Sequence, residues 1–408
     1  MTYTLVARPA ASPARWRVGH GGGFWVIAAA FTAALAFSTL PTPLYSLYQQ
    51  RDGFPTFVIT VIFAAYAVGV MASLYLAGHV SDWLGRRRVI VAAVLAEALS
   101  AVLFLTWMDV PGLIVARLVS GIGIGALTAT ATAHLSELRV VSRPSEDGSR
   151  SGLVSSVANM GGLALGPVIG GVLAQYVTSP LTVPYLVFLF VLLAMAIAVS
   201  LVPETVERQE ERPAYRPQRV SLPSAARPTF FAATTGALAV FAIMGLFTAL
   251  APTLLNQVFH QPSKLLGGIV TTSVLGASAV SQIVFAQLAR RTQLKLGIAL
   301  TATGLVVIPV AALAGVLWLF MAGGIVAGMG VGLGFRAAVG TAAMLADPAT
   351  RGEVLAAFFL GAYMGLVLPV LAIGLALIWL PSTTVVLWFA AVELVVIAWA
   401  GRRTLATV

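Results

Sequence analysis

Apolar runs of about 20 residues, the length a helix needs to cross a hydrocarbon core, recur along this chain with only short polar turns between them. They place spans at 24–48, 56–79, 89–107, 112–135, 153–176 and 184–203, and again at 230–254, 266–289, 294–314, 316–341, 354–378 and 383–400. In lipid every backbone N–H and C=O must be satisfied inside its own segment or in a closed barrel. Runs of this length are helices, so the expected fold is an all-α integral membrane protein of twelve transmembrane helices. Composition agrees: 59% of the 408 residues are hydrophobic and 9% are charged, against roughly 25% charged in soluble domains. A water-soluble core of this length has no room for so much apolar surface. Pro41, Pro43, Pro167 and Pro369 fall inside the runs and read as kinks, which membrane helices tolerate.

The net charge of +10 would suit a nucleic-acid partner, but its distribution suits a membrane better. With the N-terminus in the cytoplasm, 20 of the 24 Lys and Arg residues fall in inside segments, Arg86, Arg87, Arg88, Arg139, Arg143 and Arg150 among them. Arg51 and Lys264 fall outside, and Arg117 and Arg336 lie within predicted helices. That asymmetry predicts both termini inside. The basic N-terminal stretch resembles a secretory signal, but the apolar run behind it is too long and shows no convincing cleavage site, so it reads as the first span. Lysine occurs at 264 and 295 alone, neither after a glycine, which leaves no GxxxxGK[ST] loop for ATP. With no cysteine there is no thiol nucleophile or disulfide. No His, Asp and Ser cluster has catalytic spacing, so an enzyme is not expected, nor a metal, a cofactor or a nucleic-acid partner.

The longest polar stretch, 204–229, is rich in Glu, Arg and Pro and reads as a cytoplasmic linker between an N-terminal six-helix bundle (1–203) and a C-terminal one (230–408). An internal repeat supports two halves: Gly121-Ile122-Gly123-Ile124-Gly125 recurs as Gly330-Val331-Gly332-Leu333-Gly334, 209 positions on. The basic turn at 82–88 has a weaker echo at 290–295. Parallel repeats of this kind build transporter folds.

Three motifs carry chemistry. Between the second and third spans runs Gly78-His79-Val80-Ser81-Asp82-Trp83-Leu84-Gly85-Arg86-Arg87-Arg88. A topology anchor would account for the arginines, but not for Asp82 at a helix end between glycines. In the fourth span, Arg117-Leu118-Val119-Ser120-Gly121 puts a charge where insertion costs at least about 2.5–3.5 kcal/mol. Such a residue faces a cavity or a partner, the alternative being an arginine satisfied by carbonyls. In the fifth span, Gly162, Gly166, Pro167, Gly170 and Gly171 form a small-residue face for close helix packing, beside a proline that removes a backbone donor.

These motifs resemble those of the drug/proton antiporters of the major facilitator superfamily. Gly78, Val80, Ser81, Asp82, Gly85, Arg86 and Arg87 follow the family's GxLaDrxGrk loop, with Trp83 in place of a basic residue. Arg117 and Gly121 follow its RxxqG motif, with Ser120 for the usual Gln. Gly162, Gly166, Pro167, Gly170 and Gly171 follow its helix-five GxxxGPxxGG motif. The resemblance implies the major facilitator fold, two six-helix bundles around a cavity open alternately to each side. It implies a gating role for Gly78, Asp82, Gly85, Arg86 and Arg87, proton coupling at Arg117, and export rather than import.

An antiporter also needs a buried group that gains and loses a proton. Arginine stays charged at working pH, so the carboxylates in or near the spans are the candidates. Glu97 comes first, because it matches Arg117 in depth, and Glu137 and Glu393 are reserves. Tyr45 and Tyr48, after Pro41-Thr42-Pro43, read as a candidate substrate rim, or simply as interface anchors. The expected function is proton-coupled efflux of a small amphipathic organic solute or drug by alternating access, performed by a monomer in the bacterial cytoplasmic (inner) membrane. The alternative is a proton-coupled importer of a sugar or organic acid.

Overall fold

The computed structural model describes residues 18–77, 80–146, 148–206, 226–346 and 351–407. Gly78 and most of the expected linker, 207–225, lie outside them. Among the described residues every regular element is helical, and twelve helices are long and apolar enough to cross a membrane. The first half comprises α1 (His20–Thr39), α2 (Tyr45–Asp52), α3 (Thr56–Ala77), α4 (Ser81–Leu84), α5 (Arg86–Thr106), α6 (Val110–Ser142), α7 (Ser149–Tyr176) and α8 (Val183–Ser200). The second comprises α9 (Arg227–Phe259), α10 (Lys264–Val284), α11 (Arg290–Ala314), α12 (Leu317–Met344), α13 (Arg351–Ala376) and α14 (Ser382–Leu405).

Local chemistry explains where the elements begin and end. The run expected at 24–48 is broken after Thr39, because Pro41 and Pro43 have no N–H to donate. A 3-10 turn, Thr42–Leu44, fills the gap before the short α2. Asp109 caps α6 by accepting from Gly112 N at 3.3 Å, and Ser263 caps α10 by accepting from Leu266 N at 3.2 Å, each relieving one of the free donors at a helix start. Helix α6 runs to Ser142, well past the expected 135. Its last turns are polar, and Arg139 there pairs with Glu146 at 2.5 Å. Pro167 and Pro369 sit inside unbroken helices, and so do Pro252 and Pro309.

In the first half α1 packs on α5, α6, α7 and α8, α3 on α6, and α5 on α6 and α8. In the second, α9 packs on α10, α12, α13 and α14, and α11 on α12 and α14. The halves meet chiefly along α7 against α10 and α3 against α13. Glycines permit the closest of these approaches, and they show the register of the internal repeat. A Cβ on Gly121 or Gly125 would strike α3, at Tyr66 O and Ser73, and one on Gly123 would strike Glu97 and Ala93 of α5. In α12 the same alternation falls on Gly328 and Gly332, which face Val274 and Ser278 of α10, and on Gly330, which faces Thr301 of α11. Helix packing thus equates Gly121, Gly123 and Gly125 with Gly328, Gly330 and Gly332. The best match of letters, with Gly330, Gly332 and Gly334, is one glycine out of register, because the alternating glycines run one step further in α12.

Candidate functional site

Between the halves lies a cavity with about 1020 Å³ of empty space, part of it open to solvent. Its first-half wall includes Ser38, Arg117 and Asn159, and its second-half wall includes Phe241, Gln282 and Tyr363. Three side-chain hydrogen bonds cross between the halves among the described residues, all between α7 and α10. Thr272 donates to Ala164 O at 2.7 Å, Ser263 to Gln175 Oε1 at 3.5 Å, and Lys264 N to the same oxygen at 3.1 Å. Gly171 and Gly268 lie at the same contact, where an added Cβ would meet the backbone of the opposite helix. Those residues occupy the end of the bundle away from α1's start. Towards the other end, added Cβ atoms on Gly152, Gly161 and Gly276 would meet nothing within 4 Å. The two halves are therefore in close contact along α7 and α10 beside the cavity.

Arg117 is 3% exposed and borders this cavity. Nη1 donates to Ser38 O at 2.5 Å, the guanidinium lies 4.4 Å from the Tyr66 ring centroid and 5.9 Å from that of Phe63, and Nε has no partner. The buried Tyr45 hydroxyl lies beside the guanidinium, close enough to interact with it. Glu97 is fully buried on α5 and does not border the cavity. Ser120 donates to its Oε2 at 2.9 Å, and Oε1 is unpartnered. Arg117 and Glu97 thus share one bundle without forming an ion pair among the described residues. Ser120, where the antiporter motif carries Gln, is what holds the carboxylate.

The loop motif is knitted into its own half. Arg86 pairs with Asp82 at 2.5 Å and with Glu137 at 3.1 Å, and donates to Ser81 Oγ at 2.6 Å. Thr205 bridges Glu137 and His134, donating to the carboxylate at 2.5 Å and lying 2.9 Å from the imidazole. Gly85 has φ of 100°, and the Glu204 carboxylate occupies the place a Cβ would take. Arg87 donates to Val202 O at 3.1 Å. Glu204 and Thr205, at the mouth of the linker, had no motif to mark them. In the fifth span, Gly162, Gly166 and Gly170 face Thr32, Ala36 and Leu40 of the α1 segment, whereas Gly171 and Pro167 face α10. That one helix presents small residues to both partners.

Two of the expected site groups lie apart from the cavity. Tyr45 and Tyr48 form no rim: they are 2% and 0% exposed, packed in the first-half core, because the turn at Pro41–Leu44 folds them inward, and Thr42 reaches the cavity instead. Glu393 is 4% exposed in α14, which packs on α9 and α11 outside the cavity lining. The aromatic wall of Phe241, Phe335, Phe359 and Tyr363 was missed, since apolar residues that face a cavity and those that face lipid look alike in a sequence.

The sequence profile of the Major Facilitator Superfamily matches residues 26–314. This chain belongs to that superfamily. The fold agrees with solved transporters. A variant of the nucleoside transporter NupG superposes with a TM-score of 0.72 at 12% identity, over 93% of this chain and 99% of that one. The human organic anion transporter TETRAN gives 0.62 at 17% identity, over 94% and 100%. A bacterial homologue of the human lysosomal transporter Spinster, solved inward-facing and unoccupied, gives 0.71 at 12%, over 95% and 96%. Among curated proteins, the arabinose-proton symporter of Bacillus subtilis (strain 168) is 30% identical over 94 residues. That stretch spans 23% of this chain and 19% of the symporter's length. The chain is accordingly a multi-pass membrane protein of the Major Facilitator Superfamily.

Proposed function

We propose that this major facilitator exports a small amphipathic organic solute across the bacterial cytoplasmic membrane in exchange for protons. The observation that carries the reading is the cavity between the halves, beside the close contact of α7 with α10 and bordered by a buried Arg117. Alternating access opens this contact while the other end closes. Helix α7 is suited to that exchange, since its glycines let it slide against α1 and α10 without side chains to interlock. Export follows from the resemblance of Gly162, Gly166, Pro167, Gly170 and Gly171 to the antiporter motif.

In this reading both termini are cytoplasmic, the bundles divide at 204–229, the protein acts as a monomer, and the cavity faces the cytoplasm. Glu97 is the proton carrier: it is buried, and its one hydrogen bond comes from the Ser120 hydroxyl. Asp82, Arg86 and Arg87 belong to the cytoplasmic gate, re-pairing when that side closes; ion pairs that reach solvent on one side, as Asp82 does, are suited to this because they exchange at small cost. The deciding experiment is proton-driven accumulation of solutes in everted vesicles, followed by quenching of an internal pH dye. Solute-dependent proton efflux is expected, and a panel that gives none under an imposed gradient would count against coupling. A second reading, proton-coupled import of a sugar or organic acid, is favoured by the short match to a sugar-proton symporter. Solute-driven proton uptake into right-side-out vesicles would select it.

A further inference from the structure

We propose that the solute held in this cavity is an organic anion, a carboxylate or sulfonate on an apolar body. Its charged end is received by Arg117 and its body by the aromatic wall opposite. This rests on the transport reading only in taking the cavity as the solute's site. The charge inventory comes first. Among the described residues that line the cavity, Arg117 is charged and none is acidic. Glu97, the nearest buried carboxylate, lies behind this lining and is held by Ser120. A cationic solute would meet an uncompensated like charge here, and attraction or repulsion grows as water is excluded.

The state of Arg117 comes second. A guanidinium carries five N–H donors in a planar fork that matches carboxylate geometry. The Ser38 carbonyl takes one of them, the Tyr45 hydroxyl stands beside the guanidinium, and Nε has no acceptor. An arginine serving packing alone would have its fork filled from the protein, as Arg86 has from Asp82, Glu137 and Ser81. Instead the charge is stabilised by the faces of Tyr66 and Phe63, contacts that leave the edge of the fork available. Bidentate charge-assisted bonds to an anion would complete it.

The third observation is the opposite wall. Phe241 stands 5.3 Å from Phe335 and 5.2 Å from Tyr363 between ring centroids, and Phe335 is 6.1 Å from Phe359. These rings come from α9, α12 and α13, all in the second half. The charge is thus on the first half, and the second half adds this cluster of rings to the cavity wall. A solute with both features touches both halves at once, as a solute that draws the halves together must.

The chain has no cysteine, which permits a direct test. Asn159→Cys or Ser278→Cys places a thiol on the cavity wall, and its alkylation by N-ethylmaleimide is timed in purified protein in lipid nanodiscs. The probes are phenylacetate and naphthalene-2-sulfonate, against phenethylamine and 2-phenylethanol at equal concentration. At least one anion, raised to about ten times its dissociation constant, should slow alkylation by about tenfold through occupancy of the site, while the amine and the alcohol should not. Arg117→Gln should erase that protection. Arg117→Lys, which keeps the charge without the fork, should retain part of it. The proposal is overturned if neither anion protects, if the amine protects equally, or if protection survives Arg117→Gln. Vesicle transport separates the two readings. Anion protection without any proton-driven flux leaves the anion site and removes the antiport reading. Proton-driven flux of a cationic solute, with no anion protection, does the reverse.

Discussion

Single residues decide the chemistry of the N-terminal half. Glu97 and Ser120 form a buried hydrogen-bonded pair beside, but not bonded to, Arg117. Glu97→Gln keeps the size and the Ser120 contact but cannot exchange a proton. We expect it to abolish proton release on solute binding in detergent, with solute binding retained. Normal release from Glu97→Gln, lost instead in Glu137→Gln, would move the carrier to the cluster around Arg86. The glycines of α7 make a sharper stability contrast. A Cβ at Gly166 would collide with Ala36 O and Thr39 Oγ1, whereas one at Gly161 meets nothing within 4 Å. Overpacking costs about 1–3 kcal/mol, and a glycine replaced by alanine in an open helix position gains up to about 1 kcal/mol. Gly166→Ala should therefore lower the melting temperature in detergent, and Gly161→Ala should leave it unchanged or raise it. Equal shifts would mean that α7 does not pack on α1 through this stripe.

At the scale of elements, α7 and α10 hold the halves in contact. Ser263 and Lys264 meet Gln175 near the C-terminal end of α7, so Gln175→Cys with Ser263→Cys should join the two helices through a short bifunctional maleimide. We expect the cross-linked protein to bind solute but not to transport it, and full flux after complete cross-linking would show that this contact need not open. The loop between α3 and α5 is the counterpart at the other end. Asp82 shares Arg86 with Glu137, so Asp82→Asn leaves Arg86 a partner and should reach near-normal membrane levels. Its transport should fall severalfold or more if Asp82 re-pairs during the cycle. Unchanged efflux in vesicles would reduce the loop to a topology anchor.

The molecule as a whole carries a charge asymmetry that predicts its orientation. Cysteine at Ser263 should react with an impermeant maleimide added outside intact cells, and cysteine at Ser145 should not, a pattern whose reversal would invert the topology. Which parts were legible follows from the same physics. Lipid leaves a spanning segment no partner for its backbone but itself, so helix number and approximate ends were written in the apolar runs, while the caps at Asp109 and Ser263 and the break at Pro41 emerged with the structure. Arg117 stood out because a charge in a span needs a reason. Packing was not legible, since glycines of identical letters face different helices: Gly330 matches Gly121 by sequence but Gly123 by contact. The inward turn of Tyr45 and Tyr48, the Ser120–Glu97 bond and the aromatic wall opposite Arg117 are also products of three-dimensional structure. In lipid an apolar side chain is at home on either face of its helix. Only helix rotation and the meeting of the two halves decide which ones line the cavity.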